Sequence, residues 1–299
     1  MRTALKPQKQ KSIPVDKGLP DVCKATEDRG ISLQRVGIRG VDFPLSVMQK
    51  AGGQQQVVAK WEMFSGIPHH QRGTHMSRFP ETLMDWLGRP LSGHNFKDLV
   101  FDFKERLKNT DVYIAADFPY LVMKEAPVTK KATIMAYKCR FVGRALGKSG
   151  YEFIQQVRVP VQLCCPCSKE LALSKNYPGL GKGAHNQRAE ITVQLKVDKQ
   201  PGPWIEDIVQ CVEAQGSVPL YPLLKRKDEQ YVTIHGYEHP KFVEDAARDV
   251  AIVLQGFENV KWFKVKVESF ESIHDHSAIA YVGRMRKGHK WIASHGSFY

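Results

Sequence analysis

Strict two-residue alternation in the second half of this chain is the strongest constraint on its fold. Ile191, Val193, Leu195 and Val197 alternate with Thr192, Gln194, Lys196 and Asp198. Phe263, Val265 and Val267 alternate with Lys264 and Lys266. Successive side chains leave a strand on opposite faces, so each segment is a strand with one apolar and one polar face. A sheet built this way needs apolar cover on one side only. Helical stripes supply it. Phe96, Leu99, Val100, Phe103 and Leu107 recur at helical spacing over 96–107, and Ile205, Ile208, Val209 and Val212 do so over 204–215. Phe242, Val243, Ala246, Ala247, Val250 and Leu254 form the apolar face of a helix that Pro240 is expected to open and Gly256 to end. Stretches 57–64, 131–142 and 151–163 read as further strands and 80–86 as a short helix. The predicted class is therefore α+β, an antiparallel sheet with helices on one face.

The two halves resemble one another. Gly73-Thr-His75-Met-Ser-Arg78 and Gly183-Ala-His185-Asn-Gln-Arg188 share the pattern G-x-H-x-x-R. We read each as following a long strand and preceding helices and an alternating strand pair. This predicts an internal duplication: a basic tail over 1–30, one half over 31–150, a second over 151–282 and a basic tail over 283–299. An open sheet of this kind often hides its edges by oligomerising into a barrel.

Composition removes several classes. At 299 residues, 42% of them hydrophobic, the chain is long enough to bury a sizeable core. No stretch approaches the roughly 18 apolar residues of a membrane span, and the first twenty residues lack the apolar centre of an export signal. A cytoplasmic location is expected. The formal charge is +13. Much of it is terminal: Arg2, Lys6, Lys9, Lys11 and Lys17 face only Asp16, and Arg284, Arg286, Lys287 and Lys290 face no acid. A nucleic-acid binder concentrates charge on a folded face; the terminal excess reads first as solvated ends, with a small polyanionic substrate as the competing reason. A zinc-stabilised nucleic-acid-binding protein is the alternative from another class.

Three of the six cysteines, Cys164, Cys165 and Cys167, lie within four residues, beside Lys169. That is no disulfide framework; it points to metal or thiolate chemistry. A redox protein using Cys165 and Cys167 is a further alternative. His185 follows in a polar loop. The third cluster is Glu271-Ser-Ile-His274-Asp275-His276. If the preceding strand continues through it, His274 and His276 share one face, which suits Zn²⁺, Fe²⁺ or Mn²⁺. Lys225-Arg226-Lys227 reads either as a solvated turn or as a phosphate cradle, with Glu229 just beyond. Glu244 reads either as a carboxylate favoured at a helix N-terminus or as an acceptor for a planar N–H pair such as a guanine edge. Mixed Cys, His and carboxylate sets hold borderline divalent ions, and water on such an ion loses a proton near neutral pH.

Taken in order, the segments Gly73-Thr-His-Met-Ser-Arg-Phe79, Cys165-Pro-Cys-Ser-Lys169, Gly183-Ala-His-Asn-Gln-Arg188, Phe242-Val-Glu-Asp245 and Glu271-Ser-Ile-His274 with His276-Ser-Ala278 resemble GTP cyclohydrolase type IB. The resemblance runs from about Asp42 to Val282. Segment 170–183 is longer than that family's pattern. The resemblance implies a tunnelling fold of duplicated sheet-and-helix units, assembled as a homotetramer. It implies conversion of GTP and water to 7,8-dihydroneopterin triphosphate and formate, the entry to folate and a source of queuosine. It implies a divalent metal: Zn, Mn or Fe. Cys165 then looks like the catalytic, metal-ligating thiol, and His185 like a second ligand or a proton donor. Glu229 and His274 look like further ligands, and Glu244 like the guanine anchor. Cys167, a catalytic candidate, is less central, as are Glu271 and His276. Lys225, Arg226, His75 and Arg78 are plausible triphosphate contacts. The nearest alternative is a related tunnelling-fold enzyme acting on another pterin or deazapurine.

Overall fold

The computed structural model describes residues 21–174, 182–197 and 202–295. Among them one sheet dominates, with strands in the order β1 (Leu33–Met48), β2 (Gln54–Ile67), β3 (Val112–Glu125), β4 (Ala132–Leu146), β5 (Gly150–Cys164), β6 (Asn186–Val197), β8 (Val260–Phe270), β9 (Ser277–Lys287), β10 (Lys290–Ala293). The two-residue β7 (Val218–Pro219) pairs with β5 off this path. Every neighbouring pair in the sheet is antiparallel.

The helices are α1 (Arg78–Asp85), α2 (Phe96–Leu107), α3 (Pro166–Ala172), α4 (Ile205–Glu213), α5 (Arg226–Glu238) and α6 (Val243–Gln255). The order strand, strand, helices, strand, strand runs through β1–β4; β5, β6, β8 and β9 follow a similar order, but with α3 between β5 and β6 and the short β7 among the later helices. This is the α+β class expected from the sequence, an antiparallel sheet with helices packed on one face. The two G-x-H-x-x-R segments are not equivalent points of the two runs, however. The first follows the second strand of its unit and leads to α1, whereas the second lies between the first strand of its unit and β6.

One face of the sheet carries the core. Trp61, Ile114, Phe141, Val157, Val193 and Val265 are buried there against Phe79, Phe103, Ile208 and Val250 of the helices. Close approach is built in at Gly143: a Cβ there would lie 2.5 Å from Val100 and 2.9 Å from Phe96, both on α2. The opposite face is mixed, with a small buried apolar cluster of Tyr113, Ala115, Val142 and Ile154 beside its polar groups. On it Arg140 bonds Asp117, Glu62 (2.8 Å) and the Tyr113 hydroxyl (3.1 Å). Prolines within strands sit where no ladder bond is lost. Pro160 of β5 falls between the end of the β4 ladder at Arg158 and the β7 pairing at Val161. Pro119 of β3 lies past the last β2 partner, Asp117.

Four expectations change. Residues 283–293 belong to β9 and β10, so the basic C-terminal segment is largely a hairpin, with Arg286 stacked over Trp291. Residues 21–27 are not a free tail: Thr26 bridges Gln71, and Glu27 N–H donates to His70 O. The rest of that tail, 1–20, and residues 296–299 lie outside the described residues, as does 175–181 of the long segment after the cysteines. Pro240 does not open α6. It follows α5 and disfavours helix at His239, while α6 begins at Val243 after Phe242, whose N–H donates to Asp245 (3.1 Å). The run Lys225–Lys227 leads into helix α5 rather than forming a turn.

Asp228, fully buried in the first turn of α5, explains that start. Its carboxylate accepts from Lys225 N–H (2.9 Å), Val128 N–H (2.9 Å), Thr129 N–H (2.8 Å) and the Thr129 hydroxyl (2.7 Å). Burial pushes its pKa up, but the bonds from Thr129, Lys225 and Val128 outweigh that and hold it well below the usual carboxylate range. A group with a depressed folded pKa contributes stability above its unfolded pKa of about 3.9 and loses it as pH falls further. Asp228→Asn is therefore expected to lower Tm at pH 7, and the gap to the parent should narrow below about pH 3.9. A pH-independent gap in thermal melts would remove the charge from this account.

Candidate functional site

Sheet register builds the site. The β5–β6 ladder ends at Cys164 opposite Asn186, and one step on Cys165 meets His185, where Cys165 N–H donates to His185 O (3.1 Å). The β6–β8 ladder ends at Ala189 opposite Ser269; continued two residues, it sets Gln187 opposite Glu271. The β8–β9 ladder ends at Phe270 opposite Ser277, so Glu271 and His276 flank it. Three ladders thus fray at one end of the sheet, and Cys165, His185, Gln187, Glu271, His274 and His276 line one cleft of about 320 Å³. Lys241, whose N–H donates to Cys164 O (3.0 Å), and Glu244, in the first turn of α6, line the same cleft.

Cys165 is the N-cap of α3, and its Sγ accepts from Ser168 N–H (3.4 Å). Ser168 Oγ in turn accepts from His185 N–H (3.2 Å), tying the cysteine turn to the histidine loop. Cys164 is buried beneath, where burial raises its thiol pKa. Cys167 is exposed on α3 and does not line the cleft.

Gln187 fixes the His185 ring. Its amide nitrogen donates to Glu271 Oε1 (3.4 Å) and Ser269 Oγ (3.2 Å). An ionised carboxylate only accepts, so the amide oxygen is the atom that faces His185 Nδ1 at 2.9 Å. That oxygen takes the Nδ1 proton, and Glu271 Oε2, 3.9 Å from Nδ1, reinforces the choice. His185 Nε2 is left with a lone pair. A ligating histidine is held this way, its other N–H given to an acceptor. Gln187 was not singled out from the sequence. Its signal was the i, i+2 spacing to His185, which puts both on one face of an extended segment.

The remaining expected residues divide. His274 and His276 do meet, with rings stacked 5.1 Å apart, but in the connection between β8 and β9 rather than on a continued strand. Glu229, Lys225 and Arg226 are exposed at the N-terminal end of α5 and do not line the cleft. Only the other end of α5 approaches it, where Lys169 Nζ donates to Tyr237 O (2.8 Å). His75 and Arg78 follow β2, three strands across and at the opposite end of the sheet. Strand spacing and rise put that on the order of 40 Å from Cys165 within one protomer. Arg78 there donates to Arg106 O (3.1 Å), closing the end of α2.

The donors in the cleft, one thiol, three imidazoles and two carboxylates, are those that borderline divalent cations take. Gln187→Leu is expected to release the His185 tautomer while leaving the fold intact. Ring ¹⁵N–¹H correlation spectra should show Nδ1-protonated His185 in the parent and a tautomer mixture in the variant; an Nε2-protonated parent would contradict the bonding scheme.

Residues 19–280 match the protein-family model described as type I GTP cyclohydrolase folE2. A GTP cyclohydrolase FolE2 of Geobacter metallireducens is 42% identical over 269 residues, covering 90% of this chain and 98% of that relative. One of Pseudothermotoga lettingae is 40% identical, covering 88% and 98%. Among solved structures, uricase from Arthrobacter globiformis aligns over 89% of this chain and 96% of its own with a TM-score of 0.47 at 8% identity. One from Bacillus fastidious aligns over 86% and 94% with a TM-score of 0.49 at 9% identity. The family description and the relatives' names carry folE2, not the narrower label type IB. By the extent of the family match and the identity to its relatives, this chain belongs to the type I GTP cyclohydrolase folE2 family.

Proposed function

We propose that this chain is a metal-dependent GTP cyclohydrolase of the type IB subdivision, converting GTP and water to 7,8-dihydroneopterin triphosphate and formate. The observation that carries the reading is the cleft itself: Cys165, His185, Glu271 and His274 gathered at one sheet end, with Glu244 lining the same cleft. Family membership supports the substrate.

In this reading Glu244 accepts the paired N–H groups of the guanine edge, which orients the imidazole ring of GTP toward Cys165 and His185. Lys241, which also lines the cleft and pairs with Asp249 at 2.7 Å, would have to exchange that partner to meet the triphosphate. Cys165, His185 and His274 would hold a divalent cation, Zn²⁺, Mn²⁺ or Fe²⁺, which when bound supplies Lewis-acid activation of water. Because Gln187 keeps the His185 proton on Nδ1, Nε2 favours the ligand role over proton donation to the substrate. With Cys165 and His185 assigned to the cation, proton transfer to the opening imidazole falls to His276, which lines the same cleft.

Glu229 as a ligand, and Lys225, Arg226, His75 and Arg78 as triphosphate contacts, belong to this reading only if a neighbouring copy carries them to the cleft. The homotetramer is part of the proposal for that reason, and the strands β1 and β10 leave two sheet edges for such pairing. No described helix is long and apolar enough to cross a membrane.

Incubation with GTP and Mn²⁺ or Zn²⁺ should release formate and yield a product that fluoresces as neopterin after oxidation and dephosphorylation. Cys165→Ala is expected to lower kcat by at least about 10³-fold with circular dichroism and oligomer size unchanged. A folded, metal-loaded parent that leaves GTP intact would end the reading, and an active Cys165→Ala would remove the cysteine from it.

A further inference from the structure

A second group of metal-type donors lies at the far end of the sheet from the cleft. Asp21, Cys23 and His75 each present a donor atom, and these atoms all lie within 4.8 Å of one another. It is the one such trio of Cys, His and acidic donors among the described residues. We propose that Asp21, Cys23 and His75 form a second divalent-cation site, for Zn²⁺ or an ion of similar softness, that staples the N-terminal segment to the β2–α1 connection.

The geometry is close to what such an ion needs. Bond lengths of about 2.0 Å to nitrogen and oxygen and about 2.3 Å to sulfur put tetrahedral donors roughly 3.3–3.7 Å apart. His75 Nε2 is already 3.5 Å from Asp21 Oδ2. The remaining donor pairs lie within 4.8 Å, and backbone bonds hold the two segments together. Gly73 N–H donates to Cys23 O (3.3 Å), Arg72 N–H to Ala25 O (3.2 Å) and Glu27 N–H to His70 O (3.1 Å). Cys23 and His75 are half-buried, so the ion would be partly shielded. Cys23 now gives its thiol proton to Thr74 O at 3.7 Å, a long contact; deprotonation on binding would free that sulfur for the cation.

Donor types match as well. One thiolate, one imidazole and one carboxylate carry a combined charge of −2, which neutralises a divalent ion, and three protein ligands leave a fourth position for water. Two ligands come from the N-terminal segment and one from the loop after β2, so bound metal would cross-link parts of the chain some fifty residues apart. That role is structural and independent of the cleft. It also gives His75 a partner other than a triphosphate.

The test uses the full-length chain carrying Cys165→Ala, which removes the cleft thiol, and Co²⁺ as the probe. A thiolate–Co²⁺ charge-transfer absorption saturating at one equivalent is expected. Adding Cys23→Ser should abolish it, and His75→Ala or Asp21→Ala should weaken Co²⁺ binding by about 10–100-fold. Saturating metal should raise Tm in the Cys165→Ala chain and not in the chain that also lacks Cys23. Absence of the band in the folded Cys165→Ala chain, or its survival after Cys23→Ser, would overturn the proposal. If Cys23→Ser does not fold, unchanged Co²⁺ affinity in folded Asp21→Ala and His75→Ala would overturn it equally.

Discussion

Antiparallel register is the constraint on which the cleft depends. The ladders joining β5 to β6, β6 to β8 and β8 to β9 each stop within a residue or two of one another at the same end of the sheet. A shift of one residue in any of them would turn its donors to the other face. The register is held by the apolar side: Val159, Val161 and Leu163 of β5, Ile191 and Val193 of β6, and Val265 and Val267 of β8 are buried under the helices. Core packing therefore aims Cys165, Gln187 and Glu271 without any of them taking part in the core.

The opposite face carries a different load. Gln156, Thr192, Gln194 and Lys264 lie on it with little exposure, and Gln194 donates to Gln156 across neighbouring strands at 2.7 Å. Buried polar groups are tolerated only when bonded, and cross-strand pairs of this kind satisfy them without helices. The alternation visible in the sequence thus marks a sheet whose two sides are organised by different forces. Asp228 does related work at the rim, where one buried carboxylate joins the β3–β4 turn to α5.

Much of this was legible in the sequence, for identifiable reasons. Strands β6 and β8 and helices α2, α4 and α6 carry strong periodicity because each has one buried face. The cleft residues Cys165, His185, Glu244, Glu271, His274 and His276 were named because their types are unusual in company. Helix α5 was not legible: its residues are mostly exposed, so no apolar stripe marks it, and the charge run at its start reads as a turn. Gln187 was missed because an amide has no chemistry until its neighbours are known. Placing Glu229, Lys225 and Arg226 in one cleft with Cys165 failed within a single protomer because sequence order says nothing about which end of a helix faces a site.

The repeated G-x-H-x-x-R segment shows where short motifs stop being informative. The two copies differ in topological position, and their histidines have different surroundings. His185 gives its Nδ1 proton to an amide oxygen that a cross-strand carboxylate has oriented. His75 instead faces an aspartate from a segment laid against its loop by backbone bonds. The same residue at the same spacing acquires its protonation and partners from whatever the backbone ladder sets opposite it. In this fold the histidine's role is written in the pairing of strands, and only secondarily in the six residues that advertise it.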